Sequence, residues 1–256
     1  MPIINEAEEN LIKQYKSMQL GNCETCKDCH KNIENLSKPI SAWCIGKYFY
    51  DNPQRILFVG KNARNNPGTN ESDFCNAFQE ARKLWNTSWS YWSYTRDITR
   101  TIFGDDCIEH IAFTNIVKCN DSPTKDTTSS LVKTNCILNL RVLRNEIEII
   151  RPTHIIFYTA KNYDDYIASI FDDYKPLDSY DNYKLIGRRK MPWQRASAVL
   201  GNQSFHVLRV GHPQFKKKDS FVSEQHFTTF TLPRKLTKPV YTRPALSPLD
   251  FLRFGL

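Results

Sequence analysis

The feature that most constrains this chain is the run Arg55-Ile56-Leu57-Phe58-Val59-Gly60-Lys61-Asn62. Four successive apolar residues, Ile56 to Val59, are β-branched or aromatic except for one leucine. A strand with one wet face alternates apolar and polar residues, so an unbroken run predicts a strand covered on both faces. Pro53 precedes it and Gly60 ends it, and a polar loop with Pro67-Gly68 turn chemistry follows. In an open parallel sheet, ligands bind where loops leave the carboxyl ends of the strands. Lys61, Asn62 and Arg64 are therefore the first candidates for chemistry.

Three more strands of this kind are predicted: residues 110–119 (HIAFTNIVKC), 153–159 (THIIFYT) and 204–210 (SFHVLRV). Helical patterns separate them. Residues 6–19 carry acidic residues in their first turn and are closed by Gly21. Residues 74–85 read as an amphipathic helix, 95–103 as a short helix closed by Gly104, and 135–150 as one helix stopped by Arg151-Pro152. Residues 163–171 read as a further helix, followed by an acidic, Tyr-rich loop and the basic stretch 184–195. Strands alternating with helices predict a single α/β domain: a central four-stranded, mostly parallel sheet flanked by helices, over residues 1–232. Residues 233–256 read as a basic, Pro-containing C-terminal arm.

The chain has 256 residues and a net charge of +8. This basic balance favours a polyanionic partner without saying which. No apolar run approaches the roughly 20 residues of a membrane helix, and the acidic start MPIINEAEEN does not read as a secretory leader. A cytoplasmic location and no membrane are the expectation. In that setting the eight cysteines read as metal ligands or buried thiols rather than disulfides. Cys23-x-x-Cys26-x-x-Cys29 is a strong ligand pattern, since close spacing lets one turn of backbone aim several thiolates at one metal. The stretch 85–94 (WNTSWSYWSY) reads either as core and loop packing or as a platform for bases. Asn115, a polar residue inside an apolar run, must be hydrogen-bonded if buried, and either braces a loop or reads a ligand.

Asn62, Asn115 and His212 all lie at predicted strand ends, and a parallel sheet brings them to one edge. The four segments ILFVGKNAR, FTNIVKC, IEIIRPTHIIFYTA and VGHPQ, in this order, resemble the motifs of the uracil-DNA glycosylase superfamily. They are most similar to those of its iron–sulfur (family four) members. The resemblance covers roughly residues 20–220. Sixteen residues lie between Cys119 and Cys136, a spacing that resembles that of two ligands in the iron–sulfur members. The chain departs from the pattern in having Ala63-Arg64 where the family has Pro-Gly, Tyr158-Thr159 where it has Leu-Gly, and Gln214 where its last motif has serine.

The resemblance implies a monomeric enzyme that hydrolyses the N-glycosidic bond of uracil or of a modified pyrimidine in DNA. Asn62 would position the water and His212 would stabilise the departing base. Gly60, Lys61, Phe74 and Asn115 would line the base site, with Phe74 stacking on a flipped base. Arg64, Phe215, Lys216, Lys217 and Lys218 would contact DNA. Cys23, Cys26, Cys119 and Cys136 would hold a 4Fe-4S cluster; Cys26/Cys29 is the other way to draw the first pair. A structural zinc on Cys23, Cys26, Cys29 and Cys44 is the alternative. For each role a plain one competes: His212 capping a turn, Phe215 in the core, Lys216 to Lys218 solvated. The alternative function is a metal-containing nucleic-acid-binding protein that keeps the fold without chemistry.

Overall fold

The computed structural model describes residues 5–34, 36–37, 44–62, 82–120, 128–180 and 193–213. The strands are β1 (Cys44–Ile45), β2 (Ile56–Asn62), β3 (Ile111–Val117), β4 (His154–Phe157), β5 (Asp173–Tyr180), β6 (Trp193–Leu200) and β7 (Gln203–Arg209). They form one sheet in the order β1-β3-β2-β4-β7-β6-β5. The helices are α1 (Glu6–Ser17), α2 (Glu24–Asn32), α3 (Ser90–Phe103), α4 (Ser130–Lys133), α5 (Val142–Ile150) and α6 (Asp164–Ile170). Residues 82–85 are also helical. The protein is an α/β protein. Among the described residues no helix is long and apolar enough to cross a membrane. The arm expected at 233–256 lies outside them.

The expected apolar runs are the middle of the sheet. Strands β3, β2, β4 and β7 lie side by side and parallel. Both faces are covered over β2, β3 and β4, which is why those runs do not alternate; β7 alternates at its start, with Ser204 and His206 exposed around buried Phe205, and is buried from Val207 on. On one face Leu57, Val59, Ala112, Ile155, Phe157 and Val207 pack with α1, α5 and α6. On the other, Ile56, Phe58, Ile111, Phe113, Ile156 and Leu208 pack with Trp85 and with Trp92 and Ile98 of α3. Each Val, Leu, Ile or Phe among them contributes about 1.5–3 kcal/mol when fully buried.

The sheet has seven strands rather than the expected four. Strand β1 pairs antiparallel with β3, and β5 and β6 extend β7 as an antiparallel meander. Residues 173–180, read from sequence as loop, are strand β5. Its signal is weak because Pro176 sits at an irregularity in the ladder, the place a sheet tolerates proline. Strand β6 alternates properly, but with Ala196, Ser197 and Ala198 in place of large apolar residues. It joins β7 through Gly201-Asn202, with Gly201 at φ +55°, as a Gly-first two-residue hairpin turn requires.

The helix expected over 135–150 is two pieces. A π-helical turn, Thr134–Asn139, ends at Arg141, whose left-handed φ of 51° breaks the path before α5 begins. Arg151, also left-handed, ends α5 where Arg151-Pro152 was read as the stop. Helix α3 starts at Ser90, five residues earlier than expected, and Gly104 closes it.

Beneath β3 lies a buried ionic network. Lys118 is 0 % and Glu146 1 % exposed. The Lys118 ammonium lies 2.7 Å from Glu146 Oε1. It also donates to Thr114 Oγ1 at 2.5 Å and to the Asn115 carbonyl at 2.8 Å. Thr114 Oγ1 donates to Glu146 Oε2 at 2.9 Å, and the Tyr15 hydroxyl of α1 donates to Oε1. All three ammonium donors are thereby used. Removing one partner strands a buried charge, so Glu146→Gln should destabilise the protein by about 3–5 kcal/mol. Denaturant unfolding measures it.

At the opposite edge, burial and then the neighbouring His206 lower the His154 pKa from 6.5 to about 4. The folded pKa is depressed, so between these values the unfolded chain takes up a proton that the native protein refuses. Stability should therefore be flat above pH 6.5 and fall as pH drops toward 4, at up to about 1.4 kcal/mol per pH unit. His154→Gln should flatten that slope in a pH series of thermal melts.

Candidate active site

The carboxyl ends of β2, β3, β4 and β7 share one edge of the sheet. On β2, Gly60 pairs with Asn115 of β3, and Asn62 with Val117. Residues 58, 60 and 62 alternate with 59 and 61, so Gly60 and Asn62 lie on the face that carries Phe58 and Phe113. A methyl group built on Gly60 would fall 2.3 Å from Asn115 Oδ1 and 3.3 Å from the Tyr91 hydroxyl. Only a residue without a side chain leaves this space to the Asn115 amide and the Tyr91 ring. The glycine at the strand end therefore serves close approach, not a turn.

His212 reaches the same edge from the other side. The Val210 amide donates to the Phe157 carbonyl at 2.8 Å, and the Val210 carbonyl accepts from Ala160 at 3.1 Å. These two bonds pin the segment after β7 to the end of β4. The His212 ring lies 5.9 Å from the Tyr91 ring, centroid to centroid. Tyr91 also packs edge-on against Tyr158 at 5.3 Å and Trp92 at 4.7 Å. The Tyr158 hydroxyl meets Thr95 Oγ1 at 3.2 Å.

Gly60, Asn115 and His212 thus meet around one aromatic residue, and Lys61 and Asn62 are the last residues of the strand beside them. Phe74, Arg64, Phe215, Lys216, Lys217 and Lys218 lie outside the described residues. Tyr91 itself was not singled out from sequence. Its signal was the aromatic stretch 85–94, which divides by position: Trp85 and Trp92 are core, Tyr91 is half-buried at the site, and Trp89 is 53 % exposed.

A second cluster lies under the other face. Cys23 caps α2, its Sγ accepting from the Cys26 amide at 3.4 Å. Cys26 and Cys29 are buried residues of α2, Cys119 follows β3, and Cys136 lies in the π-helical turn. The thiols are neighbours. Burial, then Cys136, Cys26 and Cys29, push Cys119 well above the ordinary thiol range. Burial first, with Cys23 and Cys136 contributing, pushes Cys26 up to about 12. Burial also raises Cys136 to about 11, against the opposing pull of Lys118. The Asn135 amide lies 2.6 Å from Cys29 Sγ.

Among the described residues no three side chains of ligand type are gathered closely enough to hold a metal ion as they stand. In kind the donor set fits a thiolate-ligated group: sulfur donors in a mostly buried pocket beside one ammonium. Cys44 does not belong to it. Its thiol packs in the layer of Phe58 and Trp92, where burial pushes it up to about 12 and its charged neighbours are Arg82, Glu8 and Glu109. A zinc site using Cys44 together with Cys23, Cys26 and Cys29 would have to bridge the two core layers.

No protein-family profile matches the chain, and no characterised protein is significantly similar to it in sequence.

The crowding at Gly60 sets a test. The obstructing atom at 2.3 Å is the end of a side chain rather than backbone. Gly60→Ala should therefore cost little stability, about 1 kcal/mol or less, because the Asn115 amide can swing aside. It should still abolish ligand binding at this edge, measured beside a thermal melt of the same variant.

Proposed function

We propose that the protein is a DNA glycosylase that hydrolyses the N-glycosidic bond of uracil or of a modified pyrimidine. The observation that carries this is the meeting of Asn115, Gly60 and His212 at the carboxyl edge of the parallel strands, next to the strand end that bears Asn62. A carboxamide presents one donor and one acceptor face, which is what the Watson–Crick edge of an extruded pyrimidine requires. His212 donates a hydrogen bond to the base oxygen where negative charge gathers as the bond breaks, a contribution of about 3–4 kcal/mol for one well-placed donor. The sugar becomes oxocarbenium-like and needs little nucleophilic push. Asn62 holds the attacking water through its carbonyl oxygen, a positioning role that asks for no general base. The net charge of +8 suits a DNA partner. On this reading the fold is uracil-DNA glycosylase-like, the enzyme acts as a monomer, and its setting is DNA repair or defence against phage DNA.

The cysteines hold a 4Fe-4S cluster on this reading, with Cys26, Cys119 and Cys136 as ligands. Cys23 is the expected fourth; Cys29 competes because its thiol also raises Cys119 and Cys136. The cluster would supply a structural tie between the N-terminal helices, the end of β3 and the π-helical turn. Metal loading must expel protons from thiols that burial keeps neutral. Cys119→Ser should cut bound iron and soluble yield together, and Cys44→Ser should leave iron unchanged, by metal analysis and visible absorbance.

A non-catalytic DNA-binding protein is the second reading, favoured by an amide rather than a carboxylate at position 62. Base release from oligonucleotides carrying uracil or modified pyrimidines separates the two. Abasic sites formed by the wild type and lost, at least a hundredfold, in Asn62→Ala and His212→Ala establish the enzyme. Intact DNA binding with no release from any substrate establishes the binding protein.

A further inference from the structure

Two polar groups at the carboxyl edge converge without serving each other. The Asn115 carboxamide and the Tyr91 hydroxyl both crowd the space over Gly60, 2.3 Å and 3.3 Å from where its Cβ would be. Among the described residues neither group takes part in a hydrogen bond with a side chain or the backbone. The contrast with Tyr158, the next ring in the stack, is informative. Its hydroxyl is fully buried and meets Thr95 Oγ1 at 3.2 Å. A buried polar group in a native protein is normally paired, and one left open at the mouth of a site is available to a ligand.

The Tyr91 ring is held rigidly. It is wedged edge-on between Trp92 and Tyr158 and tilted against His212. It comes from α3, an element that belongs to none of the four strand-end motifs. Burial raises its phenol above the ordinary tyrosine value, so the hydroxyl keeps its proton and acts as a hydrogen-bond donor. An aromatic residue with two side-chain torsions, both locked by packing, loses little entropy when it binds.

We propose that Tyr91 is a specificity-determining residue, whose hydroxyl donates a hydrogen bond to an acceptor on the same base that the Asn115 carboxamide reads. This rests on the glycosylase reading for the identity of the ligand as a base, and not for the convergence of the two groups. The ligand class follows from the donor set. A pyrimidine with an acceptor beside the edge read by Asn115 satisfies both groups; a base that presents a donor there can only give its proton to the phenol oxygen and leaves the phenol O–H without an acceptor, and a methyl group leaves the hydroxyl with no partner at all. Discrimination of this kind is strong, because the cost falls on a desolvated polar group.

The test uses free bases, so that it does not depend on turnover. The full-length protein is titrated calorimetrically with uracil, thymine and cytosine, alongside Tyr91→Phe, Asn115→Ala, the double variant and Tyr158→Phe. Phenylalanine keeps the ring packing at position 91, and near-ultraviolet dichroism confirms that it does. The expected result is that one base binds the wild type and that Tyr91→Phe weakens this about five- to tenfold, the loss of one neutral hydrogen bond. Tyr158→Phe should leave affinity unchanged, and the double variant should lose less than the sum of the single losses. Wild-type affinity in Tyr91→Phe overturns the inference and leaves the glycosylase reading untouched. A wild type that binds none of the bases also overturns it. If that protein still releases a base from DNA, the glycosylase reading stands without Tyr91; if it releases none, both fall.

Discussion

The structure turns on a lysine buried out of reach of solvent. Lys118 leaves β3 at the point where the chain passes from the sheet to Cys119, and its ammonium is buried against Glu146 of α5. An isolated buried ammonium would cost several kcal/mol, so every donor must find an oxygen. Those oxygens come from three places: Glu146, the Thr114 hydroxyl and the Asn115 carbonyl. Tyr15 adds α1 through the same carboxylate. One charge therefore ties the N-terminal helix, α5 and the end of β3 into a single arrangement.

That arrangement reaches both clusters. Asn115 is held from behind by its own carbonyl, so its side chain projects over Gly60 from a fixed base. Cys119 is the residue after Lys118, and the same ammonium opposes the upward shift of the Cys119 and Cys136 thiols. The candidate active site and the thiol cluster lie on opposite faces of the sheet, and the short stretch from Asn115 through Lys118 to Cys119 at the end of β3 connects them. A thiolate-held group on one face would in this way stiffen the Asn115 amide on the other, through backbone rather than through any direct contact.

The carboxyl edge follows a general rule of parallel sheets, with one local addition. Strand ends bring Gly60, Asn115 and His212 together because all three strands run the same way. Helix α3 then lays Tyr91 across the gap. The apolar side of that helix, Trp92 and Ile98, is anchored in the core beside Phe58 and Phe113, and this anchoring sets where the phenol stands.

Much of this was legible in the chain itself, for physical reasons that can be named. A strand buried on both faces is apolar at most positions, so residues 56–59, 111–113, 155–157 and 207–208 stand out as apolar runs within the four parallel strands. Left-handed and helix-stopping positions at Gly104 and Arg151 end helices locally, without help from distant residues. Polar residues at the end of an apolar run mark Asn62 and His212, and a polar residue within one marks Asn115. The antiparallel strands β5 and β6 were not legible: β5, at the edge, carries a proline at an irregularity in its ladder, and β6, between β7 and β5, has serine and alanine where large apolar residues would mark a strand. The break at Arg141 was also hidden, because, unlike Arg151 before Pro152, this left-handed arginine has no glycine or proline beside it to signal a stop. Sequence alone determined the parallel centre of the sheet and the polar residues at its carboxyl end. Only the tertiary structure decided that Tyr91 joins them, that Cys44 stands apart from the other thiols, and that Lys118 is buried, because each depends on which distant residues supply a neighbour or a hydrogen-bond partner.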